Sequence, residues 1–286
     1  MGGFLEFDAP TVWHGLALEE WALDRPDPDP WILLWRCPAS LVCGKHQVPQ
    51  READLSVPGL AHARRVSGGG TVVQDEGCWS LAVVQARDTY RVDDIYDYFS
   101  NCIRSAGVDG VKRDGQNVVV GDRKVSGHAF CYRRNHVLHH GTFLVEADLE
   151  RLRTALRPPP VNWETHAVDS QPAPVCNLAD SGVDMEHMRH AIRERSLDRW
   201  KLMPEEPASY PDSVRAIRSW ERVYGGTPRF TAHHENRSWT VRHGIVEGDG
   251  PGSGMRFTAN GLENRIGKDE MPPGSWLFPD GVPPSG

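Results

Sequence analysis

The sequence reads as an α+β fold: a mixed, mostly antiparallel sheet flanked by helices, with a small segment after it. Three observations point there. Short apolar runs at 31–35, 40–44, 61–66, 71–74 and 78–85 follow one another across links too short for a helical crossover. Residues 93–106 keep helical spacing, with Ile95, Tyr98, Phe99, Cys102, Ile103 and Ala106 on one stripe and Gly107 as the stop. The 286 residues are enough for one large core and a small unit beside it.

The elements follow in order. Residues 15–23 form a helix with Leu16, Leu18, Trp21 and Ala22 among polar partners, stopped by the proline run at 26–30. After the helix at 93–106, strands return at 117–120, 124–132 and 137–144. Asp148 can cap a helix through Leu156, which Pro158, Pro159 and Pro160 end. Another helix begins after Asp184 and runs to about Trp200. The stretch 204–211 reads as a linker, and strands are expected at 230–232, 239–243 and 245–247. Beyond Gly248, glycine and proline dominate, so poor order is expected there.

Composition narrows the function. A net charge of −7, with no basic stripe interleaved with aromatics, argues against a nucleic-acid partner. The longest apolar runs, such as 81–84, are far too short to span a bilayer, and the amino terminus lacks a secretory pattern. A cytoplasmic location is therefore expected. The six cysteines are scattered without CxxC spacing, which disfavours a zinc or disulfide framework. His139 and His140 are neighbours on a strand and would point to opposite faces, so no protein-only metal site is expected.

The most informative stretch runs from Arg64 and Arg65 through Ser67, Gly68, Gly69 and Gly70 to Thr71, Val72 and Val73. Three glycines let a backbone approach a ligand closely and turn its N–H groups on an anion. Arg65 offers a planar fork for carboxylate or phosphate. The triplet leads into a strand former rather than a helix, which excludes Walker-type and dinucleotide loops. A second segment, 121–127, sets a single lysine, Lys124, at a strand position among small residues.

These two segments, followed by His139-His140-Gly141-Thr142-Phe143-Leu144, resemble the lipoate–protein ligase A family. The likeness extends to 16–20, to Gly44-Lys45-x-Gln47, to Cys176-Asn177-Leu178, and to Ser219-Trp220-Glu221 with Thr227-Pro228-x-Phe230. It covers about residues 7–247 in consistent order. It departs from the family at Gln74, where His is usual, at Val48, and at Val118, where an Asp follows the Asn.

The resemblance implies a class II synthetase or biotin-ligase-like architecture, with a catalytic domain over 1–203. Residues 212–286 would form a small or truncated accessory domain with a flexible tail. It implies ATP-dependent activation of lipoate to lipoyl-adenylate, then transfer to a lysine of a lipoyl domain. The acceptor would be a 2-oxoacid dehydrogenase or a glycine-cleavage H-like protein, and a separate accessory-domain chain could take part. ATP and lipoate are the implied ligands, with Mg²⁺ arriving on the nucleotide. Lys124 would be catalytic, stabilising charge between the acyl carbonyl and the α-phosphate. Lipoate and adenylate contacts would come from Arg65, Ser67, Gly68, Gly69, Gly70, Thr71, Val72, Val73, Asn117, Gly127, Ala129, His140 and Gly141. Two alternatives stay open at this level. One is an ATP-independent octanoyl or lipoyl transferase using Cys176 as nucleophile. The other is a non-catalytic acyl- or adenylate-binding relative. Biotin ligation is disfavoured because its Gly-Arg-Gly-Arg pattern is missing.

Overall fold

The computed structural model describes residues 2–25, 29–158, 160–203, 210–234, 237–248, 253–258 and 261–263. The chain opens with strand β1 (Gly3–Asp8), helix α1 (Val12–Leu23) and strand β2 (Trp31–Arg36), and β1 and β2 pair in parallel. β1 escapes an alternation-based reading because its first residues are all buried. Next come β3 (Ser40–Cys43), the single turn α2 (Pro49–Glu52), β4 (Ala61–Arg64) and β5 (Val72–Gln74). β3 pairs with β4 in parallel and with β5 in antiparallel, making a separate three-stranded sheet.

The chain returns through β6 (Cys78–Ala86), α3 (Val92–Ser105), β7 (Val111–Asp114), β8 (Asn117–Val120), β9 (Arg123–Arg133) and β10 (His136–Leu144). These complete a seven-stranded sheet in the order β1-β2-β6-β10-β9-β8-β7, in which every pair except β1–β2 is antiparallel. α3 and α5 (Met185–Leu197) cover one face, packing Ile95, Phe99, Cys102, Met188 and Ile192 against Trp79, Leu81 and Phe143. α1 covers part of the other, with Leu16, Ala17 and Leu18 against Leu33, Trp35, Ala82 and Leu138. The rest of that second face lies under the three-stranded sheet and the glycine loop.

α4 (Leu149–Ala155) is capped by the Asp148 carboxylate, which accepts from the Arg151 N–H at 2.9 Å, so the sequence cue holds. After it, β11 (Asn162–Thr165) leaves the first unit and pairs with β12 (Phe230–His234). The sheet continues through β13 (Arg237–Arg242), β14 (Ile245–Glu247), β15 (Arg256–Thr258) and β16 (Gly261–Glu263). The smaller unit thus borrows a strand from inside the expected catalytic segment, which no local pattern signals. α6 (Pro211–Arg218) and a π-helical turn at Glu221–Gly225 join the two parts. Strand pairing reaches past Gly248, where poor order was expected; residues 264–286 and most of the linker at 204–211 lie outside the described residues.

Candidate active site

The glycine loop is pinned from below by Arg65. Its Nη2 donates to the carbonyls of Gly68 and Gly70 at 2.5 and 2.7 Å, its Nη1 to Val42 at 3.1 Å, and its Nε to Ser67 Oγ at 3.0 Å. The guanidinium therefore holds the loop's carbonyls in, instead of standing free as a phosphate fork. Its charge still reaches the cavity, and burial pushes its pKa down only to about 10, well above neutrality. Gly69 has φ +82°, a conformation that side chains rarely adopt. A Cβ at Gly44 would lie 2.1 Å from the Gly69 carbonyl, so the two backbones touch.

Under this loop a cavity of about 590 Å³ crosses the sheet. Its polar end is walled by Asn117, Lys124, Gly127, Asp114 and Gln116; its other end by Leu16, Trp35, Val42, Val72, Gln74 and Ser80. Lys124 reaches the cavity through a bulge. The β8–β9 register runs Asn117↔Gly127, Val118↔Ser126, then Val119↔Lys124, leaving Val125 as the extra residue. Val125 drops into the core and Lys124 turns to the cavity face, so that a Cβ on Gly127 would lie 2.5 Å from Nζ. Burial, and secondly the Arg65 charge, hold the Lys124 pKa below that of an ordinary lysine.

His140 and His139 point to opposite faces, as strand alternation requires. His140 faces the cavity, with Nδ1 2.7 Å from Glu19 Oε2 and Nε2 2.7 Å from Ser67 Oγ. Trp35 Nε1 donates to the other Glu19 oxygen at 3.1 Å. The sequence resembles a Ser-His-Glu triad in space, but Ser67 Oγ is sealed in, accepts from Arg65 and does not line the cavity. It is a support. On the other face His139 joins His128 Nδ1 at 3.1 Å and the Tyr90 hydroxyl at 2.9 Å.

Of the sequence-predicted contacts, Arg65, Gly69, Gly70, Thr71, Val72, Asn117, Lys124, Gly127, Ala129, His140 and Gly141 line one cavity. Three do not. Ser67 and Gly68 belong to the loop but do not line the cavity, and Val73 points away to pack with Leu41, Ala53 and Ala155, because successive strand residues alternate faces. Gly141 borders the cavity only through its backbone: a Cβ there would meet Phe99 at 2.9 Å on the far face. Cys176 is also absent from the lining. Its N–H donates to the Lys124 carbonyl at 3.2 Å, and burial raises its thiol pKa, the reverse of what a nucleophile needs.

The sequence reading missed Glu19, Trp35, Asp114 and the strap at 166–171. A buried charge in the apolar helix α1 was the available signal for Glu19. For the strap there was none, since distant partners hold its cavity-lining part: the Val168 N–H donates to His46 O at 3.0 Å, and Ser170 Oγ accepts from the Thr71 N–H at 3.1 Å and from Gln47 Nε2 at 3.0 Å. The departures from the family pattern find their places too. Val118 is packed in the core, off the cavity face, while Asp114 stands cross-strand from Asn117 on the cavity wall. Val48 packs into the core of the smaller unit, and Gln74 donates to Cys37 Sγ at 3.4 Å and accepts from Ser80 at 3.2 Å. Among the described residues no group of three or more His, Cys, Asp or Glu side chains converges as a metal site, and the six cysteines are free.

A mixed sheet whose cavity is roofed by a glycine loop and served by one half-buried lysine defines an α+β catalytic domain of the ligase type. Residues 11–196 match the family model of the lipoyl protein ligase A/B catalytic domain, and the chain belongs to that family. It is 30% identical over 251 residues to lipoate-protein ligase A of Psychrobacter cryohalolentis, covering 80% of this chain and 74% of that protein. Two solved structures share the fold. Lipoate-protein ligase A bound with ATP is 23% identical with TM-score 0.58, over 76% of this chain and 94% of that one. The bi-partite lipoate protein ligase of Thermoplasma acidophilum, studied with its E2 lipoyl domain, is 22% identical with TM-score 0.59, over 76% and 91%.

Proposed function

We propose that this chain is an ATP-dependent lipoate–protein ligase in which Lys124 serves both half-reactions. The observation that carries the reading is one cavity with two unlike ends and a half-buried ammonium on its wall. Its apolar trough past His140 suits an acyl chain, and its polar end suits an adenylate. Family membership and the 30% identical lipoate-protein ligase A support the same reading.

In the first half-reaction the lipoate carboxylate attacks the α-phosphorus of ATP and pyrophosphate leaves. In the second, an acceptor lysine amine attacks the acyl carbonyl, AMP leaves, and the amine gives up a proton. Each step gathers negative charge where Lys124 stands, and a cation already in place there stabilises it. Arg65 adds positive field and keeps the glycine loop's N–H groups in place. Mg²⁺ would come bound to the phosphates, with Asp114 and Asn117 as the oxygen donors on that wall. The acceptor is a lipoyl domain, of a 2-oxoacid dehydrogenase or a glycine-cleavage H-like protein. Residues 1–203 carry the chemistry and 212–286 the accessory unit, and the enzyme works in the cytoplasm, where ATP is supplied. No described helix is long and apolar enough to cross a membrane.

The test is pyrophosphate release from ATP with lipoate, octanoate or biotin, followed by the mass of an acceptor lipoyl domain. Lipoate-dependent release with an acylated lysine is expected. Release with biotin alone, or acylation from a carrier without ATP, would overturn the reading.

A further inference from the structure

Arg64 ends β4 and Arg65 follows it, and the two side chains reach different partners. Arg65 faces the glycine loop. Arg64 is sealed in without a carboxylate, and its donors reach two separate parts of the molecule. Toward the smaller unit, Nε donates to the Val223 carbonyl at 2.9 Å and Nη2 to Thr227 Oγ1 at 2.8 Å. Toward the cavity, Nη1 donates to the carbonyls of Gly44, Lys45 and Gln47 at 3.0, 3.2 and 2.9 Å.

Those carbonyls belong to the loop that holds Gln47. This amide, fully buried, is the junction of the cavity roof. Its Oε1 accepts from Thr71 Oγ1 at 2.8 Å and from the Gly44 N–H at 3.0 Å, and its Nε2 donates to Ser170 Oγ at 3.0 Å. Thr71 and Ser170 line the cavity. A chain of hydrogen bonds, carried through the residue Gln47 itself, thus runs from Thr227 through Arg64 to Thr71 and Ser170 on the cavity lining, and the strap beyond Ser170 reaches the Lys124 end, where the Lys124 N–H donates to the Pro174 carbonyl at 2.8 Å.

We propose that Arg64 is a positioning residue that couples seating of the accessory unit to the shape of the nucleotide end of the cavity. A buried guanidinium must satisfy its donors, so it draws in whichever carbonyls its fork can reach. With Val223 and Thr227 in place, the fork is oriented to gather the 44–47 loop, and Gln47 then holds Thr71 against Ser170. Without them the fork is free to turn and the roof slackens. The acyl trough at Leu16 and Trp35 is outside this chain of bonds. The inference rests on the ligase reading for its kinetic test but not for its structural one.

Thr227→Val removes the hydroxyl acceptor at constant shape and touches nothing in the cavity; Thr227→Ala serves if the valine is not accommodated. The KM for ATP is expected to rise about fivefold or more, with the KM for lipoate unchanged, kcat within about twofold, and Thr227→Ser restoring the wild-type value. Hydrogen exchange in the intact protein should quicken at Lys45, Gln47, Val168 and Ser170, whose amides donate to Ser67 O, Gly44 O, His46 O and the Glu52 carboxylate and so report on the 44–47 loop and the strap. Unchanged exchange at those amides, or an equal loss at both substrates with a lowered Tm, would overturn the coupling. If the wild-type protein releases no pyrophosphate, the ligase reading fails by itself, and the exchange measurement alone decides the coupling.

Discussion

Lys124 and Gly127 share one face of β9 although three residues apart, because the bulge at Val125 restores the alternation that an odd spacing breaks. The missing side chain at Gly127 is the space in which the Lys124 ammonium lies. The lysine contributes little to packing, so its loss is expected to leave stability nearly unchanged. Lys124→Ala should lower acyl transfer by ~10²–10³, with Tm within a degree or two of wild type. Mass spectrometry of a lipoyl domain after fixed times checks the rate; retention of more than about a tenth of it would sink the electrostatic role.

The lowered pKa of Lys124 has a sign that can be tested. The ammonium is lost as pH rises through its folded pKa, and that pKa is lower than for a free lysine. The alkaline limb of kcat should therefore begin below the ordinary lysine value of about 10.4. In Lys124→Arg the limb should move up or vanish, because a guanidinium stays charged. A pH–rate profile of the two proteins decides it.

Gly69 is held at φ +82°, and a Cβ there would come within 3.0 Å of Arg65 Nη2. Gly69→Val would strain the loop by of order 1–3 kcal/mol and push the Arg65 fork off its carbonyls. Binding of a non-hydrolysable lipoyl-adenylate should weaken by about tenfold or more. Calorimetry showing unchanged affinity for the folded variant would reduce the triplet to a simple turn.

Cys176 follows Val175, which bridges Lys124, and its N–H donates to the Lys124 carbonyl, yet its thiol lies off the cavity and has a raised pKa. Cys176→Ser should keep ATP-dependent lipoylation near wild type. A stable acyl adduct on Cys176 after incubation with an octanoylated carrier would instead establish the transferase route.

Two buried histidines, His128 and His139, and the half-buried His62 make stability acid-sensitive. Burial lowers the pKa of His62 to about 4 and of His139 to about 3, and holds His128 well below the ordinary value. Unfolded, each takes a proton near pH 6.5, while the native state does not. The unfolded chain binds more protons from there down to the folded values, so stability falls as pH drops through that window. Urea midpoints measured between pH 7 and 4.5 should decline, and His62→Gln should lessen the slope by about one proton. A slope that Gln substitution leaves unchanged would exclude His62 as a source.

The class of fold, the succession of the central strands along the chain and the glycine-loop and Lys124 part of the cavity could be read from the sequence. Those signals are local: alternation in β6 and β10, the helical stripe of α3, the glycine triplet, the Asp148 cap. Even the opposed faces of His139 and His140 follow from strand geometry. The resemblance to lipoate–protein ligase A added the role of Lys124, which a lone strand lysine does not carry.

What only the tertiary structure decided is where each side chain finds its partner. Arg65 reads as a free fork until the carbonyls of Val42, Gly68 and Gly70 close on it, and Val73 reads as a ligand contact until Leu41 and Ala155 claim it. Glu19, Gln47 and Ser170 enter the site through partners more than twenty positions away, and β11 joins a sheet whose next strand begins at Phe230. Sequence spacing specifies period and turn chemistry, which act over a few residues. Hydrogen-bond satisfaction and close packing act across the whole core, and they alone determine which polar group is spent on structure and which is left facing the cavity.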